Sequence, residues 1–101
     1  MVPPNARRMH MSSLHQAPHG INLVVETKTG RVVVGRFDAV HGFEALLHDA
    51  DVFEPSPGAD PEHWIRETAT LGVDAKHRDY KLDLASVVRW RKLGDIEKLP
   101  L

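Results

Sequence analysis

Cysteine is absent from the 101 residues, which excludes a disulfide framework, a thiolate metal site and a cysteine nucleophile. Long apolar runs are absent too: the longest aliphatic stretches are triplets such as Val32-Val33-Val34. A membrane span takes about 20 apolar residues and the centre of a secretion signal about 7–15, so neither is present, and the expectation is a cytoplasmic protein with no membrane partner. Aromatic residues are scarce at 6%, so a small core needs most of them. A formal charge of −1 at pH 7 withholds the strong basic footprint of a protein held mainly by nucleic-acid phosphates. Internal repeats and low-complexity segments are also missing.

What is there is the composition of one small domain, 42% hydrophobic and 27% charged, with seven Gly and seven Pro. A chain this short has to find its stability in close packing or in self-association. The small net charge hides a division along the chain. Residues 37–65 hold seven acids (Asp38, Glu44, Asp49, Asp51, Glu54, Asp60, Glu62) and no Lys or Arg, so that stretch carries −7 and the rest +6. The two ends together offer the material of a basic surface, while the plain alternative is a set of solvated strand and loop faces.

Residues 1–20 open on a Pro pair, contain three methionines able to start translation (Met1, Met9, Met11) and end in Pro18 and Gly20. They read as an arm, with a short helix between Asn5 and Gln16 whose apolar contacts are Ala6, Met9 and Leu14. From Ile21 the pattern turns to strands. Ile21, Leu23 and Val25 alternate with their neighbours, Thr29-Gly30 interrupts, and residues 31–40 resume a β-rich run, which predicts a hairpin with positive φ at Gly30. Gly35, inside the second strand, predicts a bulge or sharp bend. A third extended segment, 43–53, carries Phe43, Ala45 and Leu47 on one face.

Residues 54–62 hold three prolines and a glycine and form a loop insertion. Asp60-Pro61-Glu62 is a good helix start, yet residues 65–71 are Thr-rich and alternate as a strand would, so one helical turn running into a strand is expected. Tyr80, Leu82 and Leu84 then alternate with charged residues, a break follows at Ala85-Ser86, and residues 87–91 form a last strand before a tail at 94–101. Short strands at this spacing predict a mainly β fold, a small antiparallel barrel spanning 21–93.

The run of residues 23–40, LVVETKTGRVVVGRFDAV, followed by FEALLHDA at 43–50, resembles the first motif of the Sm and Sm-like family. LDLASVVRWR at 82–91 is similar in shape to its second motif, and the two together cover about half of the chain. The same strand, glycine, strand pattern occurs in SH3-like barrels. The resemblance implies a strongly bent antiparallel barrel behind a short N-terminal helix. It also implies assembly of identical copies into a ring, and the binding of single-stranded RNA. Members that bind uridine-rich RNA carry an Asp six residues after the internal glycine and an Asn four residues later; those positions are His41 and Ala45 here. The family's Arg-Gly pair falls on Leu84-Ala85. The alternative implied is a ring that serves as a structural or protein-interaction barrel without RNA.

On this reading a nucleotide pocket would be built from His41, Gly42 and Phe43 and from the turn at Ala85 and Ser86, with Phe43 or His41 stacking on a base. The sheet edges are the two last strands, and Leu82, Leu84, Val88 and Trp90 would be buried between or beneath subunits of a head-to-tail ring. Other chemistry finds less support. His15 and His19 stand four apart, a helical metal-ligand spacing, but Pro18 breaks the helix between them and only the distant His10 could join them. Asp49 and Asp51 share a strand face and could pair as carboxylates or hold a cation. No nucleophile elbow, phosphate-cradling loop or general-base constellation accompanies them, so neither an enzyme nor a cofactor is expected.

Overall fold

The computed structural model describes residues 13–100. The expected N-terminal helix therefore lies mostly outside the described residues, and its end, Ser13–Gln16, is a 3-10 turn. Five antiparallel strands follow: β1 (Asn22–Thr27), β2 (Val32–His41), β3 (Glu44–Phe53), β4 (His77–Asp83) and β5 (Val87–Lys92). Their order in the sheet is β4-β3-β2-β1-β5. One helix, α1 (Pro61–Leu71), lies between β3 and β4. Among the described residues no helix is long and apolar enough to cross a membrane.

Local chemistry explains the hairpins. Gly30 takes φ of 88° and donates its N–H to the Thr27 carbonyl at 3.0 Å, and the Thr27 hydroxyl reaches the Arg31 carbonyl at 2.8 Å. Only glycine adopts that φ without strain. Gly35 is needed for a different reason. The β2–β3 register shifts between Val34 and Arg36, and a Cβ on Gly35 would stand 2.8 Å from Ala50 Cβ and 3.1 Å from the His48 carbonyl oxygen. The missing side chain lets two backbones close up at the bulge, where Asp49 takes φ of 48° on the opposite strand.

Chain geometry forces the sheet to curl. β4 and β5 are its two edges, and in a flat sheet four spacings of about 4.8 Å would hold them ~19 Å apart. Yet only the 3-10 turn Leu84–Ser86 joins them, and four extended steps reach at most ~14 Å. The result is a strongly bent, barrel-like sheet. One concave cluster accordingly draws on every strand: Leu23, Val25, Val33, Phe37, Ala45, Leu47, Ala50, Leu82 and Val87, closed from below by Leu14 and Ala17.

The opposite, convex face is covered as well. Val24, Val32 and Val34 point away from the concave cluster and pack with Ile65 of α1 and Ile96 of the C-terminal segment, with Trp64, Ala69 and Phe53 alongside. Residues 65–71, expected as a strand, are thus helical. Asp60 caps the helix by accepting the His63 N–H at 3.1 Å, and Gly72 ends it by donating to the Thr68 carbonyl at 2.9 Å. The threonines do not oppose this. Thr68 and Thr70 donate their hydroxyls to the carbonyls of Trp64 and Arg66, four residues back, at 2.9 and 2.7 Å. The decisive contribution is burial: Ile65 is fully covered, worth about 1.5–3 kcal/mol relative to exposure, whereas a Thr-rich strand there would leave the outward valines of β1 and β2 wet.

Candidate functional site

The β2–β3 hairpin tip and the β4–β5 turn meet at one end of the barrel. Glu44, the first residue of β3, pairs with Asp83, the last of β4, so the turn Leu84–Ser86 lies beside the tip. The Leu84 N–H donates to the Phe43 carbonyl at 2.8 Å. Gly42 takes φ of 60° between His41 and Phe43. Asp83 shapes the turn, its carboxylate accepting the Ala85 N–H at 3.0 Å and its carbonyl accepting the Ser86 hydroxyl at 2.7 Å. The Ser86 carbonyl in turn accepts the Lys28 N–H at 2.9 Å, so the β1–β2 turn joins the group. The five residues named from sequence for a nucleotide pocket, His41, Gly42, Phe43, Ala85 and Ser86, therefore fall in two neighbouring loops.

The aromatic residues are unequally placed. Phe37 is buried in the concave cluster, and Tyr80 and Trp90 pack against it. Phe53 and Trp64 face each other beneath α1, with ring centroids 5.5 Å apart. Phe43 is 85% exposed at the hairpin tip. It does not share the core face with Ala45 and Leu47 as the alternation predicts, because it lies in the turn before β3 begins. A cleft of about 210 Å³ opens beside the tip, lined by His41, Glu44, Ala45, Leu46 and Lys81. Phe43, Ala85 and Ser86 stand outside its lining.

Lys28 and Lys81 stand near this end, and of the two Lys28 carries no signal in the sequence beyond its place beside the Gly30 turn. The alternation of Tyr80 and Leu82 turns Lys81 outward, but only the pairing of Lys81 with Leu46 places it at the tip. Glu44 and Asp83 oppose these cations. Elsewhere the basic and acidic parts of the chain neutralise each other across the sheet: Arg36 with Asp49 at 2.9 Å, Arg31 with Glu54 at 2.8 Å and Arg91 with Glu62 at 2.9 Å. The Arg91 guanidinium holds the Glu62 carboxyl below its ordinary range. Among the described residues, folding thus pairs much of the charge that sequence separated.

The four residues named for subunit contact differ in what they leave accessible. Leu82 belongs to the concave cluster, Leu84 and Trp90 are partly buried against it, and Val88 is 45% exposed. Val88 lies where the β1–β5 register shifts, between the pairs Glu26–Arg89 and Thr27–Val87. The strands that sequence marked as edges are the edges of the sheet.

Asp49 and Asp51 do not act as a pair. Asp49 bonds Arg36, while Asp51 is buried, accepts the Val52 N–H at 2.9 Å and faces Lys76 at 3.7 Å. His15 sits in the 3-10 turn and His19 lies beyond Pro18 with its ring 5.4 Å from that of Phe37; His10 falls outside the described residues. Among the described residues no group of three or more His, Asp and Glu is placed to hold a metal ion. No family model and no curated protein matches the sequence. Among solved structures, the chain is similar to the crystal structure of an SmAP (LSm) protein from Methanococcus vannielii, at 15% sequence identity and a TM-score of 0.48, over 82% of this chain and 93% of that one.

Proposed function

We propose that the chain is an Sm-like binding module that assembles with copies of itself and holds single-stranded RNA at the end formed by His41, Gly42, Phe43, Ala85 and Ser86. The observation that carries this reading is Phe43. In a domain with few aromatics, a large ring 85% exposed at a turn, fastened by its own carbonyl to a second loop, is a platform on which an unpaired base can stack. The Ser86 hydroxyl oxygen, whose proton goes to the Asp83 carbonyl, offers an acceptor, His41 a second ring, and Lys28 and Lys81 positive charge for phosphate. The carboxylates of Glu44 and Asp83 oppose phosphate nearby, so binding is weak, and with only Lys28 and Lys81 offered to phosphate its dependence on salt is shallow.

Fluorescence anisotropy with labelled uridine-rich and adenine-rich oligonucleotides at low salt tests the reading. Phe43→Ala removes about 1–3 kcal/mol of stacking, a loss of roughly 5- to 150-fold in affinity, and His41→Ala weakens binding by less. Absence of binding to every single strand at low salt rejects the RNA reading. It would favour the second one, an assembly-forming structural or protein-interaction barrel, which Glu44 facing Asp83 at the tip supports.

Assembly rests on the outer edges of β4 and β5, which no further strand covers among the described residues and which suit head-to-tail pairing between copies. Val88 offers the better probe, since Leu84 packs against the chain's own core. Light scattering coupled to size-exclusion chromatography should show an oligomer that Val88→Asp dissociates. A particle of 11.3 kDa would reject assembly, and a strict dimer would indicate a two-fold contact.

A further inference from the structure

The imidazole of His48 lies between two carboxylates from two different strands. Its Nε2 is 2.8 Å from Asp38 Oδ2 on β2, and its Nδ1 is 2.8 Å from Asp79 Oδ1 on β4. His48 itself is on β3 and faces Asp79 as its backbone partner, so one side chain ties together three consecutive strands, the last of them an edge. Both ring nitrogens face oxygens that, when ionised, only accept hydrogen bonds. Both bonds therefore require two N–H groups, which only the imidazolium has. A neutral ring carries one N–H and turns a lone pair toward the other carboxylate.

We propose that His48 is a pH-sensitive clasp that fastens edge strand β4 to β3 and β2 and releases the first half of β4 when it loses its proton. The side that yields follows from packing. Asp38 is adjacent to Phe37, which is buried, on a strand paired on both sides. Asp79 sits in the exposed start of β4, where His77, Arg78 and Asp79 are all solvent-facing and, among the described residues, the only strand neighbour is β3. The far half of β4 stays, because Leu82 is buried in the core. The Tyr80 hydroxyl also accepts an Arg31 N–H at 3.1 Å, a second tie on this half of the strand.

The surrounding charges leave His48 in control. Arg36, its backbone partner on β2, is engaged by Asp49. His19 and His41, when charged, favour the ionised Asp38 only secondarily to the His48 bond. On β4, His77 and Lys81 stand two residues to either side of Asp79 along the strand. The bonds to Asp38 and Asp79 raise the His48 pKa above its ordinary 6.5, in that order of importance. The clasp is thus fully closed below 6.5 and opens as pH rises through the folded value above it. Since β4 is one of the edges proposed to pair between copies, opening would also loosen assembly, a consequence that rests on the assembly reading; the clasp itself does not.

Amide hydrogen exchange of the full chain at about pH 6 and about pH 9, corrected for intrinsic rates, reads the clasp directly. Protection of residues 77–80 relative to β1 should fall several-fold at the higher pH, whether or not the chain assembles. His48→Gln should show the low protection at both pH values. Asp79→Asn serves the same purpose if that variant does not fold, and should likewise remove the pH response. A wild-type protection ratio that is unchanged with pH would overturn the proposal. So would a pH response that survives in either variant, or a His48 ring that titrates at or below 6.5 by NMR. Light scattering on the same samples separates the two ideas: exchange that responds to pH in a monomer upholds the clasp and rejects assembly.

Discussion

The two faces of the sheet are closed by different means. The concave face is filled mainly by the strands, with Leu14 and Ala17 closing one end: the bulge at Gly35 and the short connection between β4 and β5 bring Leu23, Phe37, Leu47 and Leu82 into one cluster. The convex face has no such geometry and borrows its cover. Ile65 and Ile96 reach Val24, Val32 and Val34 from an inserted helix and the C-terminal segment. Polar links hold that cover in place. Arg91 of β5 bonds Glu62, Arg66 of α1 donates to the carbonyls of Glu97 and Lys98 at 3.1 Å, and the Leu99 N–H donates to the Thr70 hydroxyl at 2.9 Å. A curved sheet makes its own interior on one side only, and a chain with valines on both sides needs a second layer.

The difference predicts unequal responses to truncation. Phe37→Ala removes the largest fully buried side chain and should lower stability by about 3–5 kcal/mol in chemical denaturation, because strands paired on both sides cannot close the cavity. Ile65→Ala should cost less, about 2–3 kcal/mol, since a helix on loops can settle toward the sheet. Its distinguishing mark is local: α1 amides should exchange faster while those of β1 and β2 keep their protection. Equal losses at the two positions, with α1 and the strands exchanging together, would show that the two faces form one cooperative unit.

Gly35→Val sharpens the account of the bend, with an expected loss of about 1–3 kcal/mol, as the added atoms meet Ala50 and the His48 carbonyl. A neutral outcome would mean that the bulge tolerates a wider strand separation. The smallest effects come from pH, and they act on different parts. Hydrogen bonding to Arg91 lowers the Glu62 pKa and hydrogen bonding to His48 lowers that of Asp38, so their contributions are present above the ordinary values of 4.5 and 3.8 and fade as pH falls through the folded values. The raised His48 pKa works in the other direction: its contribution is full below 6.5 and fades as pH rises through the folded value. Thermal melts should therefore show highest stability in the mildly acidic range. Acid should first loosen α1 and alkali the start of β4, and a melting temperature that climbs steadily above neutrality would contradict this.

What could be read in the sequence was local. The Gly30 turn follows from one residue's φ and its neighbours, the bend from a glycine amid β-branched residues, and the two loops of the candidate site from where the strands stop. The helix could not be read that way. Taken alone, the Thr-rich run at 65–71 suits a strand, and the reason it is helical lies on β1 and β2, some thirty to forty residues earlier in the chain. Phe43 does not share one face with Ala45 and Leu47, as period-two alternation from 43 would have it, because Gly42 at φ of 60° puts Phe43 in the turn before the strand pattern begins.

By itself the sequence determined the class of fold, the place and antiparallel character of the five strands and the position of the edges, since period-two alternation and turn residues act within a few positions. Tertiary structure alone decided which side chains meet. Asp38, His48 and Asp79 are 10 and 31 residues apart along the chain, and only strand register brings them to one ring. It also decided that Phe43 stays exposed while Phe37, Tyr80 and Trp90 pack at the core, because a closed interior has a fixed volume that the nearest inward residues fill first.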